Sequence, residues 1–348
     1  MRIVVAMSGG VDSSVTAALM REAGHDVIGV HMKLHDAPAV SDGKHCCGLD
    51  DVLDARRVAE RMGFPFYVMD LQREFKKAVM DYFADTYVRG ATPNPCIQCN
   101  GVLKFSVLLQ RAKALGAEAL ATGHYARILP GGGLAMAVDA NKDQSYFLFP
   151  VRRTALQKTL FPLGEMTKAE VREHGRRLGL INANKPESQE VCFIPDDDHT
   201  RFVSKHRPEA EGAGEIVDES GRVLGHHDGY WRFTVGQRRG LGVSVGRPIY
   251  VLSVNADTRR VVVGDSDRLL SQGLEAHSVN WFRRPDPGED VRCRIRHRGA
   301  LHPCQITGDD PLTVRLMAPA RAIAPGQAAV LYVGDEVVGG GWIRRVLE

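Results

Sequence analysis

Apolar and polar positions follow two rhythms along this chain, and the change falls near residue 205. Before it, short unbroken apolar runs such as Ile3-Val4-Val5-Ala6-Met7 alternate with longer segments of helical period. The runs predict strands over 2–7, 26–32, 65–70 and 118–123, and the segments predict helices over 13–23, 50–62, 72–87 and 102–115. Strands that are apolar on both faces belong in a parallel sheet covered on both sides, and strand–helix alternation gives that α/β architecture. A further helix is expected over 167–180, with Thr167 as N-cap, Glu170 completing a capping box, and Arg176 and Arg177 in the last turn where they suit the dipole.

Beyond residue 205, short β-like runs are separated by Gly, Asp and Asn turns: 214–217, 222–224, 249–254 and 260–263. A second break is expected near Leu270 to Leu274, followed by strands over 277–282, 291–298, 302–306, 312–316, 328–333 and 340–346. This predicts a catalytic α/β domain over 1–200, a central β-rich domain over 201–272 and a C-terminal β-barrel over 273–348.

Composition narrows the class without naming it. A chain of 348 residues with 44% hydrophobic and 25% charged residues is that of an ordinary globular protein. No apolar run reaches the roughly 18 residues of a membrane span. The first strand is expected from residue 2, which leaves no room for a signal or transit peptide. Seven cysteines without a regular framework argue against a secreted disulfide scaffold and for a reducing cytoplasm. The net charge of +3 matters less than its distribution: residues 1–199 carry 24 Lys/Arg and 24 Asp/Glu, residues 200–348 carry 21 and 18. There, Arg292, Arg294, Arg296 and Arg298 alternate with Cys293, Ile295 and His297. A strand would put four guanidinium groups on one face, either as a solvated surface or as a contact for a phosphate backbone.

The chemistry concentrates in two places. Ser8-Gly9-Gly10-Val11-Asp12-Ser13-Ser14 lies between the first strand and the first helix. Adjacent glycines let several backbone N–H groups point inward, and the helix start adds unpaired N–H groups and the positive end of its dipole. The Gly-Lys-Ser/Thr ending of a Walker loop and the three-glycine dinucleotide spacing are both missing. The heptapeptide resembles instead the SGGxDS loop of ATP pyrophosphatases, which adenylate a substrate oxygen and release pyrophosphate. Met32 after the second strand and Gly123-His124 after the fourth are expected at the same edge of the sheet, where ligands of such sheets bind.

The second place is Pro93-Asn94-Pro95-Cys96-Ile97-Gln98-Cys99-Asn100. The prolines impose an extended entry, and Asn100 can cap a helix starting near Val102. Cys99 would then sit beside a helix N-terminus that stabilises thiolate, with Lys104 one turn in. Such a thiolate is a nucleophile, a metal ligand or half of a redox pair. Cys192 lies in an apolar run where core filling is the ordinary reading, Cys46 and Cys47 lie in a polar loop, and Cys293 and Cys304 read as barrel core.

Together these segments resemble the tRNA-specific 2-thiouridylases of the MnmA type, along the whole chain. Beside the two stretches above, the resemblance is carried by Cys46-Cys47 ahead of Asp54-Ala55-Arg56, Lys104-Phe105, Ala121-Thr122-Gly123-His124-Tyr125-Ala126 and Lys142-Asp143-Gln144-Ser145-Tyr146-Phe147-Leu148. Ser188 to Ile194 and Thr234-Val235-Gly236-Gln237-Arg238-Arg239-Gly240-Leu241-Gly242 complete it. It implies ATP-dependent, Mg²⁺-assisted placement of sulfur at C2 of the wobble uridine of tRNAs for Lys, Glu and Gln. Sulfur would come from a sulfur-relay protein or a cysteine desulfurase. Carried over, Cys99 is the nucleophile and Cys192 the persulfide carrier, joined in a transient Cys99–Cys192 disulfide. Ala6, Met7, Ser8, Gly9, Gly10, Val11, Asp12, Ser13, Met32 and Gly123 would bind ATP, with Asp12 the expected Mg²⁺ partner. Asn94, Pro95 and Cys96 would surround the target base. His124, Lys142, Asp143, Gln144, Arg296, His297 and Gln327 would touch tRNA.

One departure stands out: many members have Asp, a proposed general base, where this chain has Cys96. It yields Cys96, Cys99 and Cys192 as a three-thiolate set that could hold a [4Fe–4S] cluster, as an alternative to a plain persulfide route. Two other readings share the loop: an amidating ATP pyrophosphatase acting on a small substrate, and an RNA-binding iron–sulfur module with a vestigial loop.

Overall fold

The computed structural model describes residues 1–36, 49–185, 191–194 and 198–347. The chain falls into two units, one of Met1–Val79, Cys96–Asp197 and Asp335–Val338, the other of Met80–Pro95, Asp198–Gly334 and Gly339–Glu348. Cys46, Cys47 and Ser188 lie outside the described residues.

In the first unit the strands are β1 (Arg2–Ala6), β2 (Asp26–Lys33), β3 (Phe66–Asp70), β4 (Ala119–Ala121), β5 (Ala126–Leu129), β6 (Gly133–Met136) and β7 (Thr159–Leu160). Five of them form a parallel sheet in the order β3-β2-β1-β4-β7. Ile3 lies opposite Val27 on one side and Ala119 on the other. Ile3, Val4 and Val5 are fully buried, as a strand covered on both faces requires. The sheet grows from β1 to β2 and β3 on one side and to β4 and β7 on the other. The C-terminal end of β1 therefore lies at a reversal of strand order, where α/β sheets open a ligand crevice. β5 and β6 form an antiparallel hairpin, and β6 pairs with Glu336 and Val337.

The helices α1 (Val11–Glu22) and α2 (Leu49–Met62) run close to the expected spans. The helix Lys168–Arg177 carries the expected capping box, with Thr167 accepting from the Glu170 N–H and Glu170 accepting from the Thr167 N–H. The helix expected over 72–87 is realised as Gln72–Phe75, a π-helical stretch Lys76–Asp81 and Tyr82–Val88. The expected start near Val102 is corrected: helical backbone begins at Pro95–Gln98 and continues as a π-helical stretch Cys99–Leu108 and Leu109–Ala114. Proline is well suited to a first helical position, because its missing N–H would be unpaired there.

The second unit is β-rich. β8 (Gly214–Val217), β9 (Val223–His227), β10 (Tyr250–Asn255) and β11 (Arg260–Gly264) form a sheet in the order β10-β11-β8-β9. β12 (Leu270–Trp281), β13 (Val291–Arg294), β14 (His302–Asp309), β15 (Leu312–Arg321), β16 (Ala328–Val333) and β17 (Glu336–Leu347) follow. Their order is β12-β15-β14-β13-β16-β17, and the β12–β17 pairing closes a six-stranded barrel. Leu274, Ala276, Cys293, Val314, Val330 and Leu331 are fully buried. The break expected near Leu270 to Leu274 falls inside β12 instead, because the chain turns earlier, at Ser266–Leu269.

The helical stretch Tyr82–Val88 belongs to this second unit. Phe83 packs edge-on against Phe202 at 5.6 Å, Arg207 Nε pairs with Asp85 at 2.6 Å, and Tyr230 donates to the Val88 carbonyl at 2.6 Å.

A candidate ATP and thiol site

The turn after β1 is built by two glycines and a serine. Gly9 has φ +85°, and a Cβ there would lie 2.4 Å from the Asp51 carbonyl oxygen, so only glycine fits. Gly10 is the N-cap of α1 at φ −82°, ψ 162°, and brings no side chain to satisfy the first N–H groups of the helix. Ser13 braces the turn from inside: its hydroxyl accepts from Ser8 N–H at 3.1 Å and donates to the Gly10 carbonyl at 3.0 Å. Asn182 ties the turn from outside, its amide donating to the Gly9 carbonyl and to Ser14 Oγ, each at 2.8 Å. The result is a fixed, uncapped helix start, the geometry that receives a phosphate.

Two further chain segments close on it. A Cβ at Gly123 would lie 2.8 Å from the Asp12 carbonyl carbon and 2.9 Å from Ser13 N, so the segment after β4 packs directly on the start of α1. His31, one residue before Met32 at the end of β2, makes a 2.9 Å hydrogen bond from Nδ1 to the Met7 carbonyl. Burial holds His31 below the usual histidine range, against the pull of the Met7 carbonyl and Asp51. The three expected ligand segments therefore meet at one end of the sheet.

The charge on Asp12 is held by partners. Lys168 Nζ lies 2.7 and 2.9 Å from its two oxygens, and Tyr125 donates to Oδ1 at 2.8 Å. Nearby, Lys185 bridges Asp51 and Asp54 at 2.8 Å each. Burial pulls the Lys185 ammonium down, but the hydrogen bonds to both aspartates outweigh it and leave the group above its ordinary value.

Cys99 is half-buried and Cys96 exposed. The expected thiolate-stabilising helix start is not where Cys99 sits, since helical backbone already runs from Pro95. Burial pushes the Cys99 thiol up, and Lys104 only partly offsets this. Asn100 is not a cap either. It is buried inside the helical stretch, with Oδ1 3.2 Å from His124 Nε2. His124 is also 2.6 Å from Thr122 Oγ1 through Nδ1 and 3.4 Å from Lys104 Nζ through Nε2. Burial, with Lys104 adding to it, holds His124 neutral, well below the usual histidine range. Cys192 is half-buried, and its neighbour Phe193 packs edge-on against Phe75 at 5.6 Å. Among the described residues no three His, Cys, Asp or Glu side chains are grouped to hold a metal, so Cys96, Cys99 and Cys192 do not form a ligand set in this structure.

The residues expected at tRNA divide by environment. His124 and Asp143 are buried, and Asp143 accepts from Ala137 N, Ser145 N and Ser145 Oγ at 3.0 to 3.2 Å. Gln144 is zipped to Tyr125 by two backbone-directed bonds of 2.8 and 3.1 Å, and Lys142 N–H donates to the Asp139 carbonyl at 3.0 Å. Arg296 is exposed and His297 half-buried. The four-guanidinium strand face is not formed: β13 ends at Arg294, and Arg298 takes φ +57° in the following turn. Arg292 pairs with Asp290 at 2.8 Å and Arg294 lies over the Tyr332 ring at 5.1 Å. In the second unit, Asn94 is half-buried and Pro95 buried, and Gln327 Nε2 reaches the Thr92 and Pro93 carbonyls at 3.1 Å each.

Sequence reasoning missed Lys168, Lys185 and Asn182. A signal existed for Lys168, because a lysine at the first position of a helix opposes the dipole and needs another reason to be there. Asn182 and Lys185 lie past the helix Lys168–Arg177, with no pattern linking Asn182 to a turn more than 160 residues earlier or Lys185 to Asp51 and Asp54 in α2.

Residues 1–196 match the family described as the tRNA methyl transferase HUP domain. Residues 200–265 match the tRNA methyl transferase PRC-barrel domain and residues 271–343 the aminomethyltransferase beta-barrel domain. The chain is 51% identical to the tRNA-specific 2-thiouridylase MnmA of Geobacter metallireducens, covering 99% of this chain and 97% of that one. It is 48% identical to MnmA of Geotalea uraniireducens, covering 100% and 96%. Among solved structures, a 4-thiouridine synthetase–RNA complex with bound ATP aligns over 60% of this chain and 50% of its own, with 17% identity and a TM-score of 0.38. The family descriptions speak of methyl transfer and the full-length relatives of thiolation. Identity near one half over whole chains is the more specific likeness.

Proposed function

The chain belongs to the tRNA-specific 2-thiouridylases, and from that premise we propose that it uses ATP to place sulfur at C2 of the wobble uridine of tRNA. The observation that carries the reading is the uncapped start of α1 behind Gly9 and Gly10, closed by Gly123. It offers backbone N–H groups to a phosphate chain, and Ala6, Met7, Ser8, Val11, Asp12, Ser13 and Met32 line or brace the same edge.

The uridine O2 attacks the ATP α-phosphorus, the α–β bond breaks, and pyrophosphate leaves. A persulfide on Cys192 then attacks C2 with its outer sulfur and AMP departs with O2. Cys99 attacks the inner sulfur of Cys192, so the outer sulfur stays on the base and a Cys99–Cys192 disulfide forms. Two electrons from a thiol reductant reset it. Sulfur reaches Cys192 from a sulfur-relay protein or a cysteine desulfurase. Mg²⁺ would supply charge neutralisation on the triphosphate. Both oxygens of Asp12, its expected partner, are engaged by Lys168, and Tyr125 also donates to one of them, so no step is routed through the ion. No step is routed through an iron–sulfur cluster.

Residues 1–200 carry the chemistry in this reading, and 201–272 and 273–348 grip tRNAs for Lys, Glu and Gln by phosphate and shape. Asn94, Pro95 and Cys96 meet the base, which must leave its stack. No described helix is long and apolar enough to cross a membrane, and the reaction is one of the cytoplasm.

The test is thiolation of unmodified tRNA with ATP and a persulfide donor. tRNA-stimulated release of AMP and pyrophosphate, with thiolation lost in Cys99→Ser and in Cys192→Ser, supports the scheme. Thiolation that survives both substitutions together overturns it. ATP turnover on a small substrate without RNA would favour the amidating class.

A further inference from the structure

We propose that Gln327 is a positioning residue that fixes the Thr92–Pro95 segment from the barrel. Its bearing on the reaction rests on the reading of Asn94, Pro95 and Cys96 as the contacts of the target base.

The segment cannot hold itself. Pro93 and Pro95 have no N–H, so two of its four residues cannot donate to any neighbouring backbone. Its carbonyls need outside donors, and one side chain supplies both: Gln327 Nε2 stands 3.1 Å from the Thr92 carbonyl oxygen and 3.1 Å from that of Pro93. A primary amide nitrogen carries two N–H groups, one for each carbonyl. The amide orientation follows from its neighbours, since its oxygen turned toward two carbonyl oxygens would only repel.

The support behind Gln327 is backbone. Its carbonyl accepts from Ile343 N–H at 2.8 Å, and the Gly326 N–H donates to the Ile343 carbonyl at 2.9 Å, which seats the turn on β17. Thr92 N–H donates to the Pro325 carbonyl at 2.8 Å. Gly326 has φ +89°, and a Cβ there would come within 2.7 Å of the Thr92 oxygen and 2.9 Å of its nitrogen. Turn and segment are therefore in backbone contact, with glycine required for the approach. Upstream, the segment is held by the Ala91 N–H bond to the Thr86 carbonyl at 3.1 Å and by Tyr230 on Val88. Tyr82 hydrogen-bonds to the Asn94 backbone, and the barrel turn anchors Thr92 and Pro93 between these points. Anything that displaces the 325–327 turn is transmitted to the proposed base-reading residues.

The experiment compares Gln327→Ala, Gln327→Glu and Gly326→Ala in the full chain. Four quantities are read: melting temperature, affinity for an unmodified tRNA transcript without ATP, the single-turnover thiolation rate at saturating tRNA, and deuterium exchange of the Ala91, Thr92 and Asn94 amides. Anchoring predicts faster exchange at Thr92 in every folded variant, tRNA affinity within about twofold, and a thiolation rate lowered about tenfold or more. Gln327→Glu is worse than Gln327→Ala, because a carboxylate faces two carbonyls with no proton to give. Its deficit shrinks as the pH is lowered and the carboxyl gains one. A merely structural role would make the near-isosteric glutamate the milder change. Affinity weakened about tenfold with unchanged exchange and unchanged single-turnover rate overturns the proposal and makes Gln327 a tRNA contact. Faster exchange with unchanged thiolation supports the anchor and overturns the assignment of this segment to the target base.

Discussion

Lys168 and Asp12 form a two-pronged ion pair, Nζ to Oδ1 at 2.7 Å and to Oδ2 at 2.9 Å, at the start of the helix that faces the proposed triphosphate. The lysine side chain is nearly buried, and the aspartate is about one-third exposed. The pair places a carboxylate where a phosphate should bind, which is tolerable only because the ammonium neutralises it. Lys168→Met should leave that charge with Tyr125 alone and lower kcat/KM for ATP by about 5- to 150-fold, the span of roughly 1–3 kcal/mol for an uncompensated, partly screened charge. Adding Asp12→Asn should return part of the loss. A double-mutant cycle on ATP-dependent pyrophosphate release measures the coupling. Simple additivity of the two changes would show that the contact is incidental.

Gly123→Ala tests the closure of the site. The new methyl would sit 2.8 and 2.9 Å from backbone atoms of Asp12 and Ser13, and backbone at a helix start cannot step aside as a side chain can. Overpacking of this kind costs about 1–3 kcal/mol. The helix start should be displaced, with ATP turnover falling more steeply than the melting temperature. Activity near that of the unchanged protein would mean that the crevice has slack the distances do not suggest.

Arg296 is exposed in the turn after β13 and is proposed as a phosphate contact. Arg296→Ala should weaken tRNA binding for all acceptors alike and reduce the slope of log K against log salt by about one. Arg292, already paired with Asp290, should have the smaller effect when replaced. An unchanged slope in Arg296→Ala would remove that residue from the contact surface.

The first unit was legible because its strands are continuous apolar runs whose neighbours are set by chain order. The turn Ser8–Ser14 was legible because glycine pairs at a strand–helix junction have few other uses. What stayed hidden has a common cause. The helix start at Pro95 rather than Val102 depends on a π-helical stretch, which has no sequence period of its own. The arginine alternation from 292 to 298 imitates a strand, yet the chain turns at Ile295. The Asn182 and Lys168 contacts join residues far apart in sequence: a lysine at a helix start signals that it has a partner, but nothing in a single chain says that the partner is Asp12, or that Asn182 reaches Gly9.

Cys99 is the residue for which the corrected helix start changes the expected chemistry. A cysteine at a helix N-terminus would be expected to titrate low. Placed a turn inside helical backbone, its thiol is instead pushed up by burial, with Lys104 pulling the other way. A raised thiol is protonated at neutral pH, so its thiolate appears only as the pH climbs through the shifted value. Alkylation of Cys99 by iodoacetamide, followed on its own peptide between about pH 6.5 and 10, should have its midpoint above the usual cysteine range of about 8.5. Lys104→Met removes the one cation credited with lowering it and should move the midpoint higher still, slowing alkylation at pH 8. Where release of the thiolated base limits turnover, the thiolation rate should rise with pH over the same range and shift in the same sense in Lys104→Met. A midpoint below the usual range would restore the helix-terminus account and remove burial as the dominant influence on this thiol.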